Sequence, residues 1–145
     1  MSEEFRLCLG VQLKLTSNIM MQEHNKYLKP YDISNEQGLL LKYVYDTPGV
    51  TQTQIAEDLN KDKTTITRMV DTLVKKGKLE RKVSPEDRRA FHIYITKETK
   101  QKVEEVSPHF EKNQEELKKI IRKEDYETTI KVLNQIKEYY RGLNK

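Results

Sequence analysis

The chain has 145 residues, of which 35% are hydrophobic and 34% charged, with a formal net charge of +4 and one cysteine. This length predicts one domain, or one domain with an oligomerisation element, and it can bury a core without disulfides or metal. A membrane-spanning helix needs about 18 consecutive apolar residues, and no apolar run in the sequence is that long. The N-terminus also lacks the basic start of a signal peptide. A single cysteine cannot form an internal disulfide, so we expect a cytoplasmic protein without a membrane contact.

The first predicted element is a helix of about 24 residues from Phe5 to Leu28, which Pro30 ends. Apolar residues lie on more than one of its sides. They are Leu7, Val11, Leu15 and Ile19 in one row, with Phe5, Cys8, Leu9 and Leu13 beside it. A helix of this length is about 36 Å long, which is too long for one small lobe to cover. We therefore expect a second chain to pack on it. The alternative is a monomeric helical cap.

Two further helix starts carry the capping-box pattern, in which Ser or Thr caps the helix and a Gln three residues later reciprocates. Ser34 and Gln37 begin one helix, and Thr51 and Gln54 begin the next, after a turn at residues 47–50. These pairs predict two short helices in succession.

A third short helix begins after Asn60, which suits a left-handed turn, with Asp62 as its N-cap. Gly77 is the expected C-cap, and the preceding lysines suit the negative end of the helix dipole. The buried stripe has the helical spacing i, i+3, i+4, i+7 and comprises Ile66, Met69, Val70 and Leu73.

The pattern then changes to that of strands at residues 79–83 and 90–96, joined by a hairpin loop at residues 84–89. From Lys97 onward the chain returns to two helices, and Ser107-Pro108 should kink or break the first of them. The fold class predicted is mainly α-helical with a small β-hairpin.

Positive charge is concentrated in one segment. Residues 61–89 contain ten basic and five acidic residues, a net +5 against the +4 of the whole chain, so the remainder carries −1. A localised basic segment is what a polyanion-binding surface requires, whereas a lysine-rich solvated surface would spread the charge evenly.

Two short helices joined by a tight turn and followed by a basic hairpin have the order of a winged helix-turn-helix. With the apolar stripe buried, Thr64 and Arg68 of the third helix face outward, as do Asp71 and Lys75 further along. Threonine offers a hydroxyl and a methyl group that can touch thymine, and arginine can reach guanine or phosphate. The alternative for the helix alone is an ordinary solvated surface, and the basic hairpin favours nucleic acid.

The hairpin loop contains Asp87-Arg88-Arg89. One arginine, aimed by the aspartate, could enter a narrow minor groove while the other contacts phosphate. The alternative is a hydrated turn, since the triplet by itself is a weak signal.

Several stretches together resemble the MarR family of bacterial transcription regulators, and the resemblance covers nearly the whole chain. They are residues 33–37, 53–59, 64–70, 73–77, Glu80-Arg81, Ser84-Pro-Glu-Asp-Arg-Arg89 and Ile95-Thr96. The resemblance implies a homodimer on a pseudo-palindromic operator, with recognition helices in major grooves and wings in minor grooves. It also implies a transcriptional regulator, with repression expected, that a small aromatic or phenolic compound could release.

This interpretation assigns residues 1–32 and 97–145 to a helical dimerisation domain and residues 33–96 to the DNA-binding domain. The resemblance makes Thr64, Thr65, Thr67 and Arg68 helix contacts and Asp87 with Arg89 the wing pair. The full set of candidate DNA contacts is Lys61, Lys63, Thr64, Thr65, Thr67, Arg68, Asp87, Arg88 and Arg89.

Other chemistry has little support. Cys8 is displaced from the position at which part of the family senses peroxide and has no second cysteine to resolve a sulfenate, so a structural role is favoured over a redox one. The histidines lack metal-ligand spacing, no nucleotide or nucleophile motif predicts an enzyme, and no cofactor is expected. Tyr27, Tyr31 and Tyr43 either line an effector pocket or belong to the core. A winged helix used for protein–protein assembly, or a redox regulator using Cys8, remains the alternative function.

Overall fold

The computed structural model describes residues 1–144 and shows a mostly helical chain with a small antiparallel sheet. The helices are α1 (Glu3–Leu7), α2 (Leu9–Leu28), α3 (Asn35–Asp46), α4 (Gln52–Asp58), α5 (Lys63–Lys75), α6 (Lys97–Ile120) and α7 (Lys123–Leu143), with a 3-10 turn at Lys29–Tyr31. The strands are β1 (Val50–Thr51), β2 (Leu79–Val83) and β3 (Phe91–Ile95). The predicted fold class is confirmed. Across residues 1–144, no helix is both long and apolar enough to cross a bilayer.

The chain divides into two compact units after Ser107. The first unit contains the winged lobe, in which α3, α4 and α5 pack around the sheet. Its core consists of fully buried aliphatic side chains from all three helices and two of the strands. They include Leu40, Leu41, Val44, Ile55, Ile66, Val70, Leu73, Leu79 and Ile93. The stripe predicted for α5 is therefore the core face of that helix, with Met69 at its half-buried edge.

The sheet has the strand order β1-β3-β2, with both pairs antiparallel. In the β2–β3 hairpin, Leu79 pairs with Ile95 and Val83 with Phe91, as expected for a wing. The sequence predicted only a turn at residues 47–50, but Val50 and Thr51 add the edge strand β1 to β3. Gly49, at φ 81°, lets the chain enter this strand, and its N–H donates to the carbonyl of Ile93 at 2.9 Å.

The termini of α5 are fixed by the residues that the sequence indicated. The Asp62 carboxylate accepts from the backbone N–H of Thr65 at 2.7 Å, so Asp62 is the N-cap. Asn60 takes the left-handed conformation at φ 51° between α4 and α5, and Gly77 takes it at φ 70° after α5. Short-range sequence signals thus set the direction of α5 as it leaves the turn.

The sequence predicts one unbroken helix from Phe5 to Leu28, but the structure has two helices there. Cys8 has extended backbone (φ −69°, ψ 117°) and separates a five-residue α1 from a twenty-residue α2. The Gln12 side chain donates to the carbonyl of Arg6 at 2.7 Å, which satisfies an acceptor that the interrupted helix leaves free. The continuous part, α2, is about 30 Å long rather than about 36 Å.

Two other local expectations need correction. The Ser34 capping box is complete, but at Thr51 only half of the box forms, because the Gln54 amide donates to Asp58 instead of reaching back. Of the kink or break expected at Ser107-Pro108, the break does not occur, because α6 continues from Lys97 to Ile120. The hydroxyl of Ser107 donates to the carbonyl of Val103 at 2.7 Å, within the turn where the proline ring removes a backbone donor.

Candidate nucleic-acid interface

The outward face of α5 presents a short run of unengaged polar groups. Lys63, Thr64 and Arg68 are exposed, and their side chains make no hydrogen bond or ion pair that lies within residues 1–144. Thr64 and Arg68 are four residues apart and lie on the same face of the helix. Near the N-terminus of a helix in this position, such groups are free to meet base edges or phosphates.

Thr65 and Thr67, also predicted as contacts, use their hydroxyls inside the protein. The Thr65 hydroxyl donates to Asp62 at 2.9 Å, and the Thr65 N–H holds the pKa of the Asp62 carboxyl below its ordinary value. The Thr67 hydroxyl donates to the Lys63 carbonyl at 2.8 Å and accepts from the Gln52 amide at 3.2 Å. Of the two, Thr67 is exposed and Thr65 half-buried.

Arg81 of β2 links the hairpin to α5, a role that the sequence did not indicate. Its guanidinium donates to Asp71 of α5 at 2.6 Å and to Gln52 of α4 at 2.8 Å, and it lies 5.4 Å from the Phe91 ring centroid. Gln52 in turn bonds to Thr67. Asp71 is thus engaged within the protein, and this polar network fixes α4, α5 and the wing relative to one another.

The tip of the wing carries two exposed arginines, Arg88 and Arg89. The sequence led us to expect that Asp87 orients one of the two guanidinium groups, but its hydrogen bonds in the structure are to backbone N–H groups. Its carboxylate accepts from the backbone N–H of Arg89 at 2.9 Å, and its carbonyl accepts from Ala90 at 3.0 Å. Aspartate therefore shapes the turn, in the manner of an Asx turn, and leaves both arginine side chains available.

A surface groove brings together the two ends of the candidate site. Lys63 and Thr67 from α5 line it together with Arg89 from the wing. The start of α4 and the first residues of β3 complete its wall, through Thr51, Gln52, Thr53, Ala90 and Phe91. Two cations separated by 26 positions in the sequence thus face one concave surface, which suits a phosphate backbone.

Three lysines just outside α5 have partners within the protein. Lys61 pairs with Glu36 at 3.2 Å, and Lys76 pairs with Asp32 at 3.1 Å. Lys78 is buried, donates to the Tyr31 carbonyl at 3.3 Å, and has its pKa lowered by that burial. Lys76 and Lys78 are consequently part of the protein's own structure rather than a free cationic surface.

The remaining candidates have structural surroundings. Cys8 is exposed at the break between α1 and α2. His92 Nδ1 lies 2.7 Å from the Gly49 carbonyl, so this nitrogen carries the proton because a carbonyl only accepts. Tyr31 donates to Glu105 and Tyr43 to Asp58. Among residues 1–144 there is no group of three or more His, Cys, Asp or Glu side chains that could hold a metal.

Comparison with known proteins supports this interpretation of the lobe. A model of the MarR family matches residues 33–91. The uncharacterised HTH-type transcriptional regulator YhbI of Bacillus subtilis strain 168 is 30% identical over 105 residues, which cover 70% of this chain and 68% of YhbI. The transcriptional repressor MprA of Escherichia coli K12 is 30% identical over 105 residues, covering 71% of this chain and 57% of MprA.

Among solved structures, the S. aureus MepR–DNA complex superposes with a TM-score of 0.85 at 27% identity, over 96% of this chain and 99% of the MepR chain. The likeness therefore extends beyond the winged lobe to nearly the whole fold. The sequence match, the solved neighbour and the arrangement of α4, α5 and the wing agree with one another. The chain belongs to the MarR family and is a DNA-binding, winged-helix regulator of transcription.

Proposed function

We propose that the protein is a homodimeric repressor that binds a pseudo-palindromic operator through α5 and the wing. The observation that carries the proposal is the groove in which Lys63 and Thr67 face Arg89, beside the unengaged Thr64 and Arg68. In this arrangement Arg68 reads a base edge in the major groove, while Arg88 and Arg89 enter or flank the minor groove. Lys63 contacts phosphate, and Asp87 holds the shape of the wing tip.

The proposal of a dimer rests on apolar side chains that the single chain leaves in solvent. Leu7 and Ile19 near the N-terminus are 76% and 68% exposed, and Tyr139 of α7 is 63% exposed. Leu28 is the one buried residue of α2, and α7 has none. Helices with this much exposed apolar surface require a partner, and a second copy in a symmetric dimer supplies it. We accordingly assign residues 1–32 and 97–145 to dimerisation and residues 33–96 to DNA binding.

Release by a small phenolic ligand is the proposed mode of regulation. Two phenol–carboxylate hydrogen bonds hold α6, one from Tyr45 of α3 to Glu104 at 3.1 Å and one from Tyr31 of the 3-10 turn to Glu105 at 3.2 Å. The hydrogen bond to Glu104 raises the pKa of Tyr45, and burial together with Glu105 raises that of Tyr31, so both phenols stay protonated donors. A phenolic ligand has the same donor group and can compete for either carboxylate.

The test is selection of duplex DNA from a random pool by the purified protein at moderate salt, followed by sequencing. The expected result is an enriched inverted repeat, and Arg68→Ala should lose base preference at one position in each half-site, a loss of about 1–3 kcal/mol. Lys137→Ala, an exposed cation of α7, is the matched control and should leave the preference unchanged. A pool without any enriched repeat would instead favour a protein-assembly role for the winged lobe.

Repression and release are tested on the selected sequence. A reporter placed behind it should be silenced by the protein and restored by those phenols that also dissociate the purified complex. Tyr45→Phe removes one donor to Glu104 without changing the ring, and it should shift the phenol concentration required. Activation of the reporter, or dissociation by no phenol, would contradict this part of the proposal.

A further inference from the structure

The polar network between the wing and α5 fixes the direction of each of its hydrogen bonds. Arginine can only donate, so the contact of 2.8 Å from Arg81 identifies Gln52 Oε1 as an acceptor. The opposite end of that amide, Nε2, must then donate, and it lies 3.2 Å from the Thr67 hydroxyl. The hydroxyl proton is directed to the carbonyl of Lys63 at 2.8 Å, because a carbonyl only accepts.

Thr67 therefore has no proton to offer a base. Its hydroxyl has one donor and two lone pairs, of which the donor and one lone pair are already used within the protein. The residue is nevertheless exposed, and it lines the groove between Lys63 and the wing. This side chain has no donor left for recognition; it can offer its methyl and one acceptor lone pair.

Thr64 provides the contrast on the same helix. It is exposed, and its hydroxyl makes no hydrogen bond to any of residues 1–144, so both its donor and its acceptor remain free. Two threonines one turn apart thus differ in what they can read. Thr64 can bond to a base edge or a phosphate, whereas Thr67 suits an apolar neighbour.

We propose that Thr67 reads the 5-methyl group of a thymine in the major groove, and that Arg81 and Gln52 act as positioning residues by keeping its hydroxyl occupied. The 5-methyl of thymine is the apolar group that base edges present in this groove. This inference rests on the proposed operator binding, because it names which base feature α5 recognises. It predicts a thymine at one fixed place in each half-site.

The experiment uses the full chain and the duplex enriched in the selection, with each thymine replaced in turn by deoxyuracil, which removes only the methyl group. Burying one methyl contributes about 0.8 kcal/mol, so replacing the thymine in a single half-site should weaken binding by about fourfold. Thr67→Ser, which lacks the methyl and keeps the hydroxyl, should bind the thymine and deoxyuracil duplexes equally at that place. Thr67→Val, which keeps a methyl and lacks the hydroxyl, should retain the difference, as should Thr64→Ser.

A second arm tests the positioning residues. Gln52→Met removes the amide that bonds to Thr67, which should reduce the fourfold difference at that thymine while leaving other replacements unaffected. A merely structural role would weaken binding to all duplexes alike.

Three outcomes separate the claims. An identical deoxyuracil profile for the unaltered protein and Thr67→Ser would overturn the methyl assignment while leaving operator binding intact. Loss of the difference in Thr67→Val but not in Thr67→Ser would also overturn it, because the hydroxyl would then be the reader. Failure to select any duplex would refute the proposed function itself, and the inference with it.

Discussion

Replacing Arg81 by methionine tests how firmly the wing is joined to α5. Methionine keeps an unbranched stem beside Phe91 but removes the guanidinium, so Asp71 and Gln52 each lose a donor. The variant leaves the face of α5 formed by Thr64 and Arg68 untouched. Any change therefore reports on the network and not on the loss of a base contact.

The magnitude follows from the exposure of the pair. A hydrogen bond to a charged group contributes about 1.5–3 kcal/mol, and an exposed ion pair about 0–1 kcal/mol. The Arg81 side chain is 23% exposed and that of Asp71 47%, which places their 2.6 Å contact between those limits. With the bond to Gln52 included, we expect a loss of about 1.5–2 kcal/mol in the free energy of unfolding, or about 3–8 °C in Tm.

The assay is urea unfolding at a fixed protomer concentration, since dimerisation would make stability depend on concentration. Arg122→Met is the matched control, because Arg122 makes a similar contact of 2.8 Å to Asp125 but is 81% exposed. A double-mutant cycle of Arg81→Met with Asp71→Ala should give a coupling energy of about 1 kcal/mol. Additive effects, or a loss no greater than in the control, would refute the reasoning that this network joins the wing to α5.

Three further predictions concern backbone conformation, pH and assembly. Gly77→Ala should lower the free energy of unfolding in urea by about 1–2 kcal/mol, because φ is 70° at this position. Gly142→Ala, whose added methyl would meet no neighbour in its helix, should stabilise the protein slightly, and equal effects of the two variants would contradict the reasoning. The folded-state pKa of Asp62 is depressed, so its contribution is fully present above the ordinary value of 3.8 and is lost as pH falls through the lower folded value. Asp62→Asn keeps a capping side chain and should flatten this part of the stability–pH curve, while an unchanged curve would exclude the carboxylate as its source. Ile19→Lys should shift the sedimentation coefficient towards that of a monomer and Gln22→Lys should not; a monomeric unaltered protein would exclude the dimer.

The elements of the lobe were predictable because their signals are local. The Ser34 box, the Asp62 cap and the positive φ of Asn60 and Gly77 depend on residues within about four positions of one another. The hairpin followed from an alternation of apolar residues with period two. The apolar stripe of α5 identified the buried side of that helix, and Thr64 and Arg68 lie on the opposite, exposed side as predicted.

Contacts between residues distant in sequence, and choices between alternative local partners, were not predictable. Arg81 finds partners 10 and 29 positions away, and β1 forms because Val50 meets Ile93. Gln54 had two possible partners, the Thr51 backbone and Asp58, and nothing in the sequence decides which acceptor it takes. The break at Cys8 has no proline or other strong local signal. The hydroxyls of Thr65 and Thr67 and the carboxylate of Asp87 also have alternative partners, because each bonds to a residue two to four positions away.

The most direct test of the central claim is the salt dependence of binding to the selected duplex, measured by fluorescence anisotropy. If Lys63, Arg88 and Arg89 of each protomer neutralise phosphates, a dimer makes about six such contacts, and log K should fall against log salt with a slope of about −5. Arg88→Ala should reduce the slope by about 2, because each dimer loses two contacts, whereas Lys137→Ala should not change it. A slope near zero, or a slope unaffected by Arg88→Ala, would contradict the assignment of this face to DNA.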